Sequence, residues 1–228
     1  MGLAERYRSV QERISRAALA AGRSEQDVEL IVVTKTHPAQ LVIELAAMGQ
    51  LAFGENRDQE AAPKAQEVAS AVPNAKWHFV GQLQTNKVKS VLRYASAIHS
   101  IDRPSLVKEL AKQLENQDQQ IDGFIELNLT DDENRGGVNS ADLESLTEQV
   151  LSVPRIRLLG VMAVAGLGED PRQEFEKALH LSQLLRKLAP SATALSMGMS
   201  EDFEVAISLG ATHIRVGSAI TGPREYSA

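Results

Sequence analysis

The chain has 228 residues, with 24 Lys and Arg against 30 Asp and Glu, a net charge of -6 and no cysteine. The acidic balance opposes loose attachment to nucleic acid or to anionic lipid, and the missing thiols exclude disulfides, thiolate metal sites and thiol catalysis together. A hydrophobic fraction of 43% with 24% charged residues is that of an ordinary globular protein with a sizeable core.

The opening stretch 1–22 carries charges through its apolar positions, unlike a signal peptide, and its spacing predicts an amphipathic helix with Leu3, Tyr7, Val10, Ile14 and Ala18 on one face. No later segment is long enough to cross a bilayer, which makes a cytoplasmic location the simplest reading. Short apolar runs then alternate with helical segments, the strand candidates being 28–34, 51–53, 76–80, 97–100, 123–129, 157–164, 193–197 and 212–216. Helices open near Pro38, Asn56, Thr85, Pro104, Ser140, Pro171 and Ser200. The polar stretch 130–140 reads as one long loop, and the apolar stripe of 174–188 as a face covering the barrel.

Near-continuous apolar strands such as Leu30 to Val33 indicate burial on both faces, as in a parallel sheet wrapped by helices. The rhythm of βα units predicts a closed (β/α)8 TIM barrel with an additional N-terminal helix, one domain over 1–228, since no linker or low-complexity tract divides the chain. An open doubly wound sheet would want a glycine-rich loop directly after the first strand, where this chain has Thr34-Lys35-Thr36-His37.

The working face of such a barrel is the carboxyl end of its strands. Candidates there are Lys35, Gly54-Glu55-Asn56, Gly81-Gln82, Asn128, Met162, Ser196 to Ser200 and Arg215 to Ser218. Period-two alternation puts Ile31, Val33 and Lys35 on one strand face, and loss of water at a strand end favours the neutral amine as a nucleophile toward a carbonyl. A surface lysine is the competing interpretation. Ser200 is either a phosphate contact or a helix N-cap, and Gly217-Ser218 either admits an anion or forms a turn. A lysine on strand one and an anion cradle on strands seven and eight are neighbours once the barrel closes. Amine plus phosphate site suggests a phosphorylated aldehyde or ketone, handled by a Schiff-base aldolase or by a protein that holds pyridoxal phosphate. His213 and Arg215 share the face of the last strand opposite Ile214 and Val216, from which the guanidinium can point inward; there it would either keep a pyridine nitrogen unprotonated or pair with an ordinary phosphate or carboxylate.

VVTKTHP (32–38), FGENRDQE (53–60), WHFVGQLQTNK (77–87) and LSMGMSEDFEVAISLGATHIRVGSAITG (195–222) resemble the YggS/PROSC family of pyridoxal phosphate homeostasis proteins, over nearly the whole chain. The resemblance implies an alanine-racemase-like barrel with pyridoxal 5′-phosphate held as an aldimine on Lys35. It places Asn56 beside the cofactor, its phosphate on Ser200, Gly217 and Ser218, and Arg215 against the pyridine nitrogen. It further implies a role in vitamin B6 and amino-acid homeostasis with no established catalytic reaction. Pyridoxal-phosphate-dependent apoenzymes are the expected acceptors, and a monomer or weak dimer is the expected state. Departures from the family pattern are Arg57-Asp58, Arg135 in place of lysine, and Thr221 in ITG in place of an aromatic residue. Lys87 is either a surface charge or a residue that receives or passes on the cofactor.

The alternative is a racemase-like enzyme. That chemistry needs a second acid or base on the opposite face of the cofactor, commonly a tyrosine, and none of Tyr7, Tyr94 and Tyr226 sits in a site motif. The five histidines form no compact motif. His78 reads as a satisfied barrel-core histidine, with Trp77 and Phe79 as packing residues.

Overall fold

The computed structural model describes residues 1–115, 117–130, 135–166 and 168–222. Its strands are β1 (Glu29–Val33), β2 (Ala52–Glu55), β3 (Lys76–Phe79), β4 (Ala95–Ile101), β5 (Ile121–Glu126), β6 (Ile156–Met162), β7 (Ala194–Ser196) and β8 (His213–Val216). Each pairs in parallel with the next, and β8 closes onto β1 with Glu29 opposite His213 and Val32 opposite Val216. This is the closed barrel expected from the alternation of apolar runs, each strand within three residues of its predicted limits.

The helices are α1 (Leu3–Ala20), α2 (Ala39–Ala47), α3 (Asp58–Val68), α4 (Val88–Val91), α5 (Pro104–Leu114), α6 (Leu143–Leu151), α7 (Pro171–Leu188), α8 (Phe203–Ser208) and α9 (Ser218–Thr221). Pro104 and Pro171 start their helices, where a missing N–H costs nothing. Four openings differ from expectation. Asn56 lies two residues ahead of α3, Thr85 begins a 3-10 turn that leads into α4, Ser140 precedes α6 by three residues, and Ser200 does not cap α8. Asp202 takes the N-cap position of α8, and its carboxylate accepts the Met199 N–H at 2.6 Å, a local turn that leaves the Ser200 hydroxyl for other work. Of the long loop at 130–140, residues 131–134 lie outside the described residues.

Residues on the outward strand face, such as Val32, Phe53, Ile98 and Ile125, pack against buried helix residues including Leu45, Val68, Leu110 and Phe175. Each such side chain contributes roughly 1.5–3 kcal/mol on leaving water. The predicted stripe of α1 buries Tyr7, Val10, Ile14 and Ala18. Two arginines on the same helix tie it to the end of the chain. Arg13 donates to both carboxylate oxygens of Glu204, at 2.6 and 2.9 Å, and stacks on Phe203. Arg6 donates to the carbonyls of Ile220 and Thr221, fixing the segment that follows β8.

Among the described residues no helix is long and apolar enough to cross a membrane, and no group of three His, Asp or Glu side chains is arranged to hold a metal ion.

Candidate functional site

Lys35, Asn56, Ser200, Arg215, Gly217 and Ser218 all line one cavity of about 680 Å³ at the carboxyl end of the barrel. Parallel pairing explains their convergence. Val32 opposite Val216 sets Val33 beside Gly217, so the residues just past β1 and β8 meet at the seam of the barrel. Val33 and Lys35 both line the cavity, in keeping with the shared strand face that period-two alternation gives them.

Lys35 is held in place by the residue that follows it. Thr36 has φ 65°, a left-handed conformation that is strained for a β-branched side chain. Its N–H donates to Glu60 Oε2 at 3.0 Å and its hydroxyl to the Lys35 carbonyl at 2.6 Å, bonds that offset the strain and turn the chain sharply after the lysine. Sequence reasoning missed Thr36 and Glu60, because nothing in KTH marks a positive φ.

On the β7 and β8 side, Ser218 Oγ donates to Ser200 Oγ at 3.3 Å and the Ala219 N–H points at the same oxygen, at 3.4 Å. Two hydroxyls and a backbone N–H therefore converge on one spot of the cavity wall. Gly217 has a negative φ and a Cβ there would touch Val33 at 3.5 Å, an ordinary contact, so glycine is not required by the backbone. What it leaves is room. Gly81 is different: a Cβ would lie 2.2 Å from the Asn56 carbonyl oxygen, so only glycine lets the end of β3 approach Asn56 this closely.

Arg215 forms the floor. Its guanidinium is buried and donates to the Ser196 carbonyl and hydroxyl, both at 2.7 Å, and to the Ala163 carbonyl at 2.9 Å. Burial lowers its pKa to about 10, which leaves it charged at neutral pH.

Several other candidates do not reach the cavity. Glu55 turns outward into a buried cluster, where its Oε1 accepts the Thr34 hydroxyl at 2.7 Å and the Lys64 ammonium at 2.6 Å. Asn128 is engaged by its own loop, accepting from Thr130 and reaching the Arg135 carbonyl. Met162 is buried, and Ser196 lies fully buried against Arg215. Arg135 donates to the carbonyls of Val164 and Ala165, which themselves line the cavity. Lys87 lines a second cavity of about 590 Å³ that shares Asn56 and Gly81 with the first. Of the departures noted above, Arg57 is exposed, Asp58 is buried beside Tyr94, and Thr221 lines the main cavity. His78 is bonded at Nδ1 only; its Nε2 is buried without a partner, so it is not the fully satisfied core histidine expected.

Residues 8–225 match the alanine racemase N-terminal domain family. The pyridoxal phosphate homeostasis protein of Aquifex aeolicus is 38% identical over 230 residues, covering 99% of this chain and 100% of its own length. The chain belongs to this family of pyridoxal phosphate homeostasis proteins. A solved structure of similar shape is PipY of Synechococcus elongatus with pyridoxal phosphate bound, with a TM-score of 0.85, 32% identity and coverage of 97% of this chain and 100% of that one. The alanine racemase of Corynebacterium glutamicum shares the barrel at 17% identity and a TM-score of 0.70, and this chain spans 62% of its length. That likeness concerns the fold alone.

Proposed function

We propose that this chain binds pyridoxal 5′-phosphate through Lys35 and acts in vitamin B6 and amino-acid homeostasis as a carrier or regulator within a single barrel domain. The observation that carries the reading is the convergence, in one cavity, of a lysine amine, a hydroxyl-lined anion cradle and a buried arginine. Membership of the homeostasis family and the ligand in the PipY structure support it.

The donor set fits the group. Ser200, Ser218 and the Ala219 N–H present donors to a phosphate, without an acidic partner among those bonds. The cavity volume of about 680 Å³ lies within the range that holds small cofactors. When bound, the cofactor supplies an aldehyde electrophile conjugated to a pyridine ring. Lys35 would provide the amine, Asn56 would lie beside the ring, and Arg215 would face the ring nitrogen. A cationic floor disfavours protonation of that nitrogen and weakens the ring as an electron sink, which suits holding the cofactor better than deprotonating an amino acid.

Racemisation needs a second acid or base over the opposite face. Tyr7 donates to Gln50 and Tyr94 to Asp58, both away from the cavity, while Tyr226 lies outside the described residues. A non-catalytic role in the cytoplasm, with apoenzymes as acceptors, follows from this reading.

The test is a titration of the purified protein with pyridoxal phosphate, followed by visible absorbance, alongside assays for turnover of alanine and other amino acids. Saturable binding without turnover is the expected result. Clear racemisation at enzymatic rates would put the protein among the catalysts.

A further inference from the structure

Beneath Arg215 the barrel interior holds a line of polar side chains that the proposed binding reaction does not use. Arg215 Nη1 lies 2.7 Å from Ser196 Oγ, Ser196 Oγ lies 2.8 Å from His99 Nδ1, and His99 Nε2 lies 2.9 Å from His78 Nδ1. The four residues come from β8, β7, β4 and β3 and are all buried, His99 and Ser196 completely. His99 stacks on Phe124 at 4.2 Å between ring centroids, which fixes the plane of its ring.

The cation at the head of this line favours one direction for its hydrogen bonds. A guanidinium only donates, so Ser196 Oγ accepts from Arg215. The serine hydroxyl has one proton, and among the described residues the acceptor it meets is His99 Nδ1, at 2.8 Å, to which it donates. His99 is neutral, its pKa driven far down by burial and by the nearby positive charge. A neutral imidazole accepting at Nδ1 carries its proton on Nε2 and donates to His78 Nδ1. His78, likewise neutral, then carries its proton on Nε2, where the line ends without a protein partner. The opposite polarity would leave the Ser196 O–H unaccepted in place of the His78 Nε2–H, and would turn the O–H and N–H dipoles toward the cation. Each bond points away from the permanent cation, so successive dipoles reinforce one another.

We propose that Ser196, His99 and His78 are positioning residues that hold the Arg215 guanidinium in one orientation at the cavity floor, with both imidazoles locked in the Nε2–H tautomer. This rests on the reading of Arg215 as the partner of the cofactor ring. The line gives that arginine a fixed pose through the Ser196 hydroxyl, and the histidines keep the hydroxyl turned away from it.

Two measurements test this. Nitrogen-15 NMR of the histidine rings in cofactor-free protein should show His99 and His78 each with a proton on Nε2 and a bare Nδ1. The Ser196→Ala variant should shift the His99 signals toward a mixture of tautomers. An Nδ1 proton on His99 in the unmodified protein, or unchanged ring signals in the variant, would overturn the proposal. In a double-mutant cycle, Ser196→Ala should weaken pyridoxal phosphate binding about tenfold, the scale of one hydrogen bond to a charged group. In an Arg215→Lys background the same change should have an effect below about twofold if it acts only through the guanidinium. Equal losses in both backgrounds would refute action through the arginine. Unaltered binding in Arg215→Lys itself would remove the ring contact, a failure that the cofactor-free spectra register separately.

Discussion

Ser200 Oγ and Ser218 Oγ stand 3.3 Å apart although 18 residues separate them in the chain, one beyond β7 and the other beyond β8. A phosphate held there takes donors from both loops. Ser200→Ala and Ser218→Ala are each expected to weaken pyridoxal phosphate binding about tenfold, the scale of a charge-assisted hydrogen bond. Pyridoxal, which lacks the phosphate, should lose less than about twofold. Fluorescence titration with the two ligands makes the comparison, and equal losses would place the phosphate elsewhere.

Lys64 and Glu55 form a buried pair behind the site, with Lys64 Nζ also donating to the carbonyl of Thr34, the residue before Lys35. Burial raises the Glu55 pKa and the Lys64 charge opposes that rise. Lys64→Met is expected to cost about 3–5 kcal/mol, because it strands a buried carboxylate. Urea denaturation at neutral pH checks it. Glu55→Gln added to Lys64→Met should recover part of the loss, and a double variant less stable than the single one would contradict the pairing.

Burial lowers the His78 pKa from 6.5 to about 4. The unfolded chain therefore takes up this proton between pH 6.5 and 4 while the folded chain does not, so stability falls as pH falls through that window. At about 1.4 kcal/mol per pKa unit the contribution is on the order of 3 kcal/mol, present above pH 6.5 and lost near pH 4. His99, also lowered by burial, acts in the same sense. Urea unfolding across pH 4 to 7 should show a shallower decline in His78→Gln than in the unmodified protein, and identical slopes would show that His78 is already protonated in the fold.

The barrel and the cavity-lining residues were legible because they depend on local pattern. Lys35 and Gly217-Ser218 each follow an apolar strand, and closure of β8 onto β1 brings strand ends together without further information. Ser200 was ambiguous between cap and ligand contact until the turn through Asp202 took the cap. The outward cluster of Lys64, Glu55 and Thr34 was not legible, since a lysine in the middle of a helix is ordinarily solvated and its burial depends on how α3 lies on β1 and β2. The His78, His99 and Ser196 line was hidden for another reason. Its members come from β3, β4 and β7, and contacts across the barrel interior leave no periodic trace in the chain.

Which amine meets the cofactor is the central question. Borohydride reduction of the protein loaded with pyridoxal phosphate, followed by peptide mass mapping, should find the phosphopyridoxyl group on the peptide containing Lys35 and lose that signal in Lys35→Ala. The same group found mainly on Lys64, Lys87 or another lysine would contradict it.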